Sequence, residues 1–566
     1  MDLTDIIYSN DYINILIQNY VAQSERYQML FPESSALLTL NPQYSVLFLE
    51  RSLLPENLFG AVPFTGLPKL FTPLSTLSLE VSGIVQTQNL YGGGYTGKNV
   101  IIGFLDTGID YRHPAFLHAN GQSRILAVWD QTDWTGTPPA QFPYGSLYTK
   151  SDLDAALESG DPLSLVPVTD PDGHGTYVAG VAGGTPDASA GFLGVAPEAD
   201  FAVVKLKPAK QNLKDFYLVS SNAPVFEEDD LLSAMHFLNE TAAAEGKPLV
   251  LCLALGTNQG SHSGTLPVSL TLARYGNTPG VIPVCATGNE GNAAHHYYGS
   301  VSETYTPKNV EFLVSEGNRG FTLELWGQAP QLFSVGFRSP GGETIPRIPV
   351  SLNQEQRITF VLERTVIYVN YEVVQATTGS QLILIRMLDP TPGIWTLQVY
   401  RAFPSPPDFH IWLPITGFST SDVTFLEPDP YTTLTTPSAT VPVLSPSTYQ
   451  AANNSFSPES GRGFTRLGEI KPDFAAPGVS VTGPGPAGSY VSFSGSSASA
   501  AITSGAAALF LQWGIQRTPA RYFTAQEVKN YLIRGADRTD TITYPSREWG
   551  YGRLQLYQSF TSLMTN

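Results

Sequence analysis

The 566-residue sequence contains little cysteine and little charge. Its two cysteines, Cys252 and Cys285, lie inside apolar runs, so we expect two buried thiols and no disulfide framework. Charged residues make up 14% of the chain, and 31 basic against 49 acidic residues give a net charge of −18. This acidic balance disfavours nucleic acid or an anionic membrane as the main partner, because both repel a negative surface.

The sequence also lacks the features of exported and membrane-spanning chains. The first ten residues contain neither a basic nor an apolar segment, so no secretory signal peptide is expected. No uninterrupted run of 18 apolar residues occurs, which predicts that no segment spans a membrane. The two absences together predict a protein made in the cytoplasm. The hydrophobic content of 42% still supports a substantial core, and the chain length indicates two to four domains.

The pattern of apolar residues divides the chain into four segments. Residues 1–75 predict a small α+β unit, with a helix near Ile13–Gln23 and a strand from Tyr44 to Leu49. Residues 76–305 and 436–566 alternate continuous apolar runs with helical segments. That alternation is typical of an α/β fold with a mostly parallel sheet flanked by helices.

Residues 306–435 alternate between apolar and polar positions with period two. This pattern predicts an antiparallel β-sandwich inserted into the α/β unit. After the insert, Ala501–Ile515 predicts a buried helix. Thr524 and Glu527 form a capping box that predicts a further helix ending near Gly535.

Several short segments carry side chains suited to peptide hydrolysis, which needs an activated nucleophile, a base and oxyanion donors. Asp106 follows a buried strand, where a carboxylate faces the ligand crevice of a parallel sheet; the alternative is a turn that ends the strand. His174 lies between glycines at the start of a helix, which suits a general base; the alternative is an exposed turn histidine.

Two further segments complete the set. Asn289 follows another buried strand, and its amide could donate to an oxyanion. Taken alone, the segment Gly-Asn-Glu-Gly is typical of an ordinary turn. Residues 494–499 are rich in serine and precede the apolar helix, whose N-terminus favours negative charge. Plain N-capping is the alternative, and composition does not decide which serine is the nucleophile. Asp-Thr-Gly also occurs in aspartic proteases, but no convincing second copy is present.

Taken together, the motifs resemble those of the subtilases, the subtilisin-like serine proteases. The matching segments are Asp106-Thr-Gly108, His174-Gly-Thr-Tyr-Val-Ala-Gly180, Gly288-Asn-Glu-Gly291, Lys471–Gly478 and Gly495-Ser-Ser-Ala498. The resemblance implies catalytic roles for Asp106, His174 and Ser497, and an oxyanion role for Asn289. It also implies that Leu253, Ala254, Leu255 and Gly256 pair with the substrate backbone. Tyr177 and Ser496 depart from the usual histidine and threonine but leave the triad intact.

A narrower similarity, to the Csp germination proteases of clostridia and related gut subtilases, covers almost the whole chain. It rests on Gly108–Phe116, Arg124–Gln131 and Gly256–His262. It implies that residues 1–75 are a prodomain that assists folding, is cleaved by the enzyme itself near Phe71–Leu77, and stays bound as a non-covalent partner. The insert is then a jelly roll, and the protein substrate is the zymogen of a spore cortex-lytic enzyme.

The same sequence leaves other functions open and contains two segments that could suggest a ligand. There are two alternatives: a general degradative protease, and a pseudoprotease that acts in binding or signalling. A spore-associated location follows only from the narrower similarity. No cofactor and no metal are expected. Gly92–Lys98 resembles a phosphate-binding loop but precedes a strand instead of following one. His295 and His296 are adjacent and lack a surrounding set of metal ligands.

Overall fold

In the computed structural model, the first elements form a small α+β unit. The described residues are 3–19, 35–53, 62–73, 82–89, 94–303, 306–351, 355–404 and 406–564. The elements of the first unit are α1 (Leu3–Tyr8), β1 (Tyr12–Gln18), β2 (Ser35–Thr39), β3 (Tyr44–Glu50) and β4 (Leu70–Pro73). Strands β1, β3 and β2 form an antiparallel sheet in that order.

The helix predicted near Ile13–Gln23 is wrong over its described part, because that part is the strand β1. Isoleucines at positions 13, 15 and 17 alternate with other residues, and β-branched side chains in such a pattern favour a strand. The predicted strand from Tyr44 is confirmed as β3, which pairs along its whole length with β1.

The next segment contains the central α/β sheet. Its elements are α2 (Ile84–Gln88), β5 (Ile101–Asp106), β6 (Ile125–Asp130), β7 (Ser146–Thr149), α3 (Lys150–Glu158), α4 (Pro162–Leu165), α5 (His174–Gly183), β8 (Asp200–Lys205), α6 (Gln211–Tyr217), β9 (Phe226–Glu227), α7 (Glu228–Ala244), β10 (Leu249–Leu253), β11 (Leu255–Gly256), α8 (Pro267–Gly276) and β12 (Val281–Cys285). The sheet order is β12-β10-β5-β8-β6-β7. All neighbouring strands are parallel except the edge strand β7, which is antiparallel to β6. The prediction of a mostly parallel sheet therefore holds for this sheet.

Two antiparallel sheets follow. Their strands are β13 (His296–Ser300), β14 (Lys308–Val314), β15 (Gly320–Gly327), β16 (Phe333–Arg338), β17 (Thr344–Ile348), β18 (Gln356–Thr359), β19 (Val366–Glu372), β20 (Gln381–Leu388), β21 (Gly393–Arg401), β22 (Asp408–Trp412) and β23 (Val423–Phe425). One sheet has the order β13-β22-β15-β20-β19-β18 and the other β17-β16-β21-β14-β23. They share an apolar core that includes Phe312, Ile383 and Trp395. Because of these sheets, most strand pairs of the described chain are antiparallel, so the mostly parallel description does not extend beyond the central sheet.

The six-stranded antiparallel sheet packs against the α/β unit. Trp326, Leu382, Leu384 and Trp412 are buried in the main core, and not in the core between the two antiparallel sheets. Both faces of this sheet are therefore covered, which explains why β15 is buried along its whole length.

The final segment returns to the α/β unit. Its elements are β24 (Pro446–Gln450), β25 (Ser455–Phe456), β26 (Phe474–Pro477), β27 (Val481–Pro484), β28 (Tyr490–Phe493), α9 (Ser496–Ile515), α10 (Ala525–Gly535) and α11 (Leu556–Met564). The capping box of Thr524 and Glu527 is confirmed, and α10 ends at Gly535 as predicted. Helix α9 is long and apolar enough to cross a membrane, but 89% of it is buried inside the protein, as in a core helix.

Candidate active site

Asp106, His174 and Ser497 lie in one hydrogen-bonded row. Asp106 is the last residue of β5, His174 the first of α5, and Ser497 the second of α9. The Nδ1 atom of His174 is 2.6 Å from Asp106 Oδ1, and its Nε2 atom is 3.1 Å from Ser497 Oγ. The imidazole thus bridges a carboxylate and a hydroxyl, the arrangement in which a histidine can take a proton from a serine.

The environment of His174 sets its basicity. Burial alone would lower the pKa of this imidazole, because it penalises the charged form. The charge and hydrogen bond of Asp106, with the nearby carboxylates Asp170 and Asp172, instead raise the pKa of His174 above its ordinary value. The protonated imidazole that forms during proton transfer is therefore stabilised.

Asp170, which was not among the residues predicted from the sequence, connects the loop of Asp106 to the helix of His174. Its Oδ1 accepts from Thr107 Oγ1 at 2.7 Å, and its Oδ2 accepts from the backbone N–H and Oγ1 of Thr176 at 2.8 and 2.7 Å. The available signal was an acidic residue four positions before the histidine, in Asp170-Pro-Asp-Gly-His174. Asp170 thus fixes the relative position of two of the candidate catalytic residues.

Asn289 lies beside the serine helix. Its Oδ1 accepts from the Ser496 backbone N–H at 2.9 Å, and the Gly288 N–H donates to Ser496 Oγ at 3.0 Å. The Nδ2 group is the donor of this side-chain amide, and it takes no part in the bond to Ser496. Ser496 holds the Asn289 loop against the start of α9.

The family is decided by comparison with known proteins. The Subtilase family, Peptidase_S8, matches residues 97–552. The chain belongs to the subtilase family. The resemblance to subtilases is therefore confirmed.

Individual relatives agree with this assignment. The structure of the Clostridium perfringens CspB protease is similar with a TM-score of 0.75 and 31% identity, covering 86% of this chain and 96% of that one. The subtilisin-like protease PopC of Myxococcus xanthus is 27% identical over 39% of each chain. The major intracellular serine protease of Bacillus subtilis is 24% identical over 47% of this chain and 65% of its own length. The chain thus spans less than two thirds of the length of these two curated relatives.

In this subtilase, the segment predicted to bind substrate is already paired with the N-terminal unit. Strand β4 lies between β11 and β9 in a three-stranded antiparallel sheet. Pro73 is opposite Leu255, and Thr72 is opposite Gly256. Ser497 Oγ lies 3.4 Å from the Ala254 carbonyl oxygen, directly before β11. The structure therefore brings the end of β4 next to the candidate nucleophile.

The cysteines and the paired histidines take no part in this site. Cys252 and Cys285 are buried free thiols on the adjacent strands β10 and β12, as predicted, and burial raises the pKa of Cys252 to about 12. His295 Nδ1 bonds Glu290 Oε2 at 2.5 Å, whereas His296 Nε2 bonds His410 Nδ1 at 3.0 Å. The two neighbouring imidazoles have different partners and do not form a common ligand set.

One group of carboxylates in the described part of the chain has metal-ligand spacing. It comprises Glu227, Asp229 and Asp230, all of them buried. Several of their oxygens are engaged by protein groups, because Lys207 Nζ lies 2.6 Å from Asp230 Oδ2 and Asn14 donates to both Glu227 and Asp229, whereas Asp229 Oδ1 has no hydrogen-bond partner in the described part of the chain. Ammonium and amide partners in these positions supply the compensation that a cation would otherwise give.

Proposed function

We propose that this subtilase is a serine endopeptidase that cleaves peptide bonds through Ser497, His174, Asp106 and Asn289. The observation that carries the proposal is the row of hydrogen bonds from Asp106 through His174 to Ser497, at 2.6 and 3.1 Å. This geometry meets the requirement that a nucleophile and its base lie within hydrogen-bond reach, with a third group orienting the base.

The proposed reaction has two halves. Ser497 Oγ attacks the peptide carbonyl carbon while His174 Nε2 takes the hydroxyl proton, and Asp106 stabilises the imidazolium through Nδ1–H. Asn289 Nδ2 donates to the oxyanion of the tetrahedral intermediate. His174 then returns the proton to the departing amine, which leaves an acyl-serine. Water, deprotonated by His174, attacks this ester, and His174 returns that proton to Ser497 Oγ as the acid leaves.

We also propose that the protein cleaves its own leader, residues 1–75. Because Pro73 is opposite Leu255 and the Ala254 carbonyl lies near Ser497, the next leader residue, Leu74, is the proposed P1 residue. The proposed cut is then Leu74–Ser75, within the predicted window Phe71–Leu77, so the released leader comprises residues 1–74, one residue fewer than the predicted 1–75. Residues 74–77 of that window lie outside the described residues.

The leader is proposed to remain bound after the cut as an inhibitory partner. Asn14 Nδ2 donates to Glu227 Oε2 at 2.8 Å and to Asp229 Oδ2 at 2.5 Å. Lys210 Nζ in turn donates to Asn14 Oδ1 at 2.7 Å. These groups are buried, and removal of Asn14 would take a hydrogen-bond partner from each of them, which opposes dissociation.

For the biological substrate, we propose the zymogen of a spore cortex-lytic enzyme and a spore-associated location. This rests on the similarity to clostridial Csp proteases, including the 31% identity to CspB over 86% of the chain. The inserted sheets are proposed to be the jelly roll of that group. Broad cleavage of unfolded casein without specific cleavage of such a zymogen would favour a general degradative protease instead.

The decisive experiment compares intact masses of the purified wild type and the Ser497→Ala variant. Splitting of the wild type after Leu74, with the variant whole, supports both the nucleophile and the cut. A fluorophosphonate probe should label only the wild type. If the wild type is neither split nor labelled, the endopeptidase proposal is wrong and the pseudoprotease alternative gains weight.

A further inference from the structure

Lys69 of the leader is completely buried, directly before β4. Its Nζ donates to the Phe64 carbonyl oxygen at 2.7 Å and also to that of Leu67. The ammonium lies over the Phe64 ring, 4.2 Å from its centroid. A fully buried lysine is rare unless groups of opposite charge lie near it, so we expect carboxylates close to Lys69.

Three glutamates supply negative charge to the surroundings of Lys69, although none of them forms a direct ion pair with its ammonium in the described part of the chain: Glu228 at the start of α7, Glu324 on β15 and Glu372 at the end of β19. Burial lowers the pKa of Lys69, and these three carboxylates act against that effect. Burial likewise raises the pKa of Glu324 and that of Glu372 to about 7, and Lys69 opposes both shifts. The lysine and the glutamates therefore form one buried electrostatic group.

Hydrogen bonds tie two of the glutamates to the leader and the third to the loop that follows β11. Glu228 Oε2 accepts from the Lys69 backbone N–H at 3.3 Å, and Glu372 Oε2 accepts from the Phe64 N–H at 3.4 Å. Glu324 Oε2 accepts from the Gly260 N–H at 2.9 Å, whereas its Oε1, also buried, has no hydrogen-bond partner in the described part of the chain. Glu324 thus holds a buried acceptor that a nearby positive charge would stabilise.

The position of Lys69 in the leader relates this group to substrate binding. Lys69 lies three residues before Thr72, which is opposite Gly256 on the strand predicted to pair with substrate. We infer that Glu228, Glu324 and Glu372 form a subsite for a basic side chain of the protein substrate, at the position that Lys69 occupies in the leader. This inference rests on the proposed endopeptidase function, and with Leu74 as P1 the subsite accepts P6.

The inserted sheets contribute two of the three carboxylates of this subsite. Trp326, also on β15, packs edge-on against Phe64 with ring centroids 5.8 Å apart, so the insert covers this part of the leader. The parallel-sheet unit alone would supply only Glu228 here. The insert therefore extends the substrate cleft and adds selection for positive charge far from the cleaved bond.

The test uses the processed wild-type protein and two quenched fluorescent peptides with the sequence of residues 63–77, which include Phe64, one with lysine and one with glutamine at position 69. We expect kcat/KM to be at least tenfold lower for the glutamine peptide, mainly through a higher KM. A bound leader lowers both rates by the same factor and leaves their ratio unchanged. Equal kcat/KM values for the two peptides would overturn the inference.

Variants of the insert locate the effect. Glu324→Gln with Glu372→Gln should reduce the lysine preference to within twofold, since the amides keep the acceptors for Gly260 and Phe64 but remove the charges. Glu316→Gln, at an exposed position on the same insert, is the matched control and should keep the full preference. A double variant that retains the wild-type ratio contradicts the role of the insert.

Self-cleavage of the full chain gives an independent readout if the retained leader blocks both peptides. Lys69→Gln should slow the appearance of the processed form at least fivefold, whereas Lys69→Arg should stay within twofold of wild type. Equal rates for Gln and Arg variants would overturn the subsite alone. Absence of all cleavage and of fluorophosphonate labelling in the wild type would instead overturn the endopeptidase function on which the subsite depends.

Discussion

The Oδ1 atom of Asn289 accepts a hydrogen bond from the backbone N–H of Ser496, at a distance of 2.9 Å. This bond orients the side-chain amide from the residue that precedes the candidate nucleophile. The proposed oxyanion donor and the proposed nucleophile are therefore positioned by the same turn at the start of α9.

Replacement of Asn289 tests this arrangement. Asn289→Ala and Asn289→Asp should each lower kcat by about 10²–10³-fold with little change in KM, because both remove the donor to the oxyanion. The aspartate variant keeps an acceptor for Ser496, so it separates donation from loop positioning. Steady-state kinetics on a peptide substrate give the answer, and near-wild-type kcat for Asn289→Asp would contradict the oxyanion role.

The pH dependence of activity tests the pairing of His174 with Asp106. Protonated His174 cannot take the Ser497 proton, so kcat/KM should rise with pH as the imidazole loses its proton. Because Asp106 raises the pKa of His174, this rise should lie above the ordinary histidine range. Asp106→Asn should move the rise to lower pH and reduce kcat by about 10⁴-fold. An unchanged pH profile in this variant contradicts the pairing.

The candidate catalytic residues could be predicted from the sequence because each lies in a short local motif, although the subtilase resemblance, and not composition, selected Ser497 among the neighbouring serines. Asp106, His174 and Ser497 follow a strand or begin a helix, and these positions are visible in the order of apolar and small residues. The pairing of β4 with β11 could not be predicted, since it depends on two segments more than 180 residues apart. Asp170 was missed for a related reason, because its role appears only once Thr107 and Thr176 are brought together.

The glycine after His174 should be irreplaceable. A Cβ atom on Gly175 would lie 2.2 Å from the Gly108 carbonyl oxygen and 3.1 Å from Asp106 Cβ, so the two catalytic loops would be forced apart. We expect Gly175→Ala to lose fluorophosphonate labelling and about 1–3 kcal/mol of stability. Gly160→Ala is the matched control, because a Cβ there meets nothing within 4 Å. Thermal unfolding and labelling of the two variants test this, and a labelled Gly175→Ala protein contradicts it.

Glu290, next to the oxyanion residue, connects that loop to the inserted sheets. Its Oε2 bonds His295 Nδ1 at 2.5 Å and accepts from Asn258 Nδ2 at 2.9 Å, and its Oε1 accepts from Thr416 Oγ1 at 2.7 Å. Burial acts to raise the pKa of Glu290, but the charge and hydrogen bond of His295, with the bonds from Thr416 and Asn258, lower it below its ordinary value. The ionised form of Glu290 is thus favoured over the protonated form more strongly in the folded protein than in the unfolded chain.

Glu290→Gln should therefore lose stability in a pH-dependent manner. The lowered pKa contributes stability that is present above the ordinary glutamate pKa and is lost as the pH falls through the lower, folded value. The wild type should exceed Glu290→Gln by about 1–3 kcal/mol near pH 7, and the difference should shrink in acid. The variant should also have a lower kcat, since Asn289 is its neighbour. Urea unfolding at several pH values, in a Ser497→Ala background to prevent self-cleavage, measures the first effect. A difference that stays constant down to acid pH would show that packing, and not the charge of Glu290, joins the insert to the oxyanion loop.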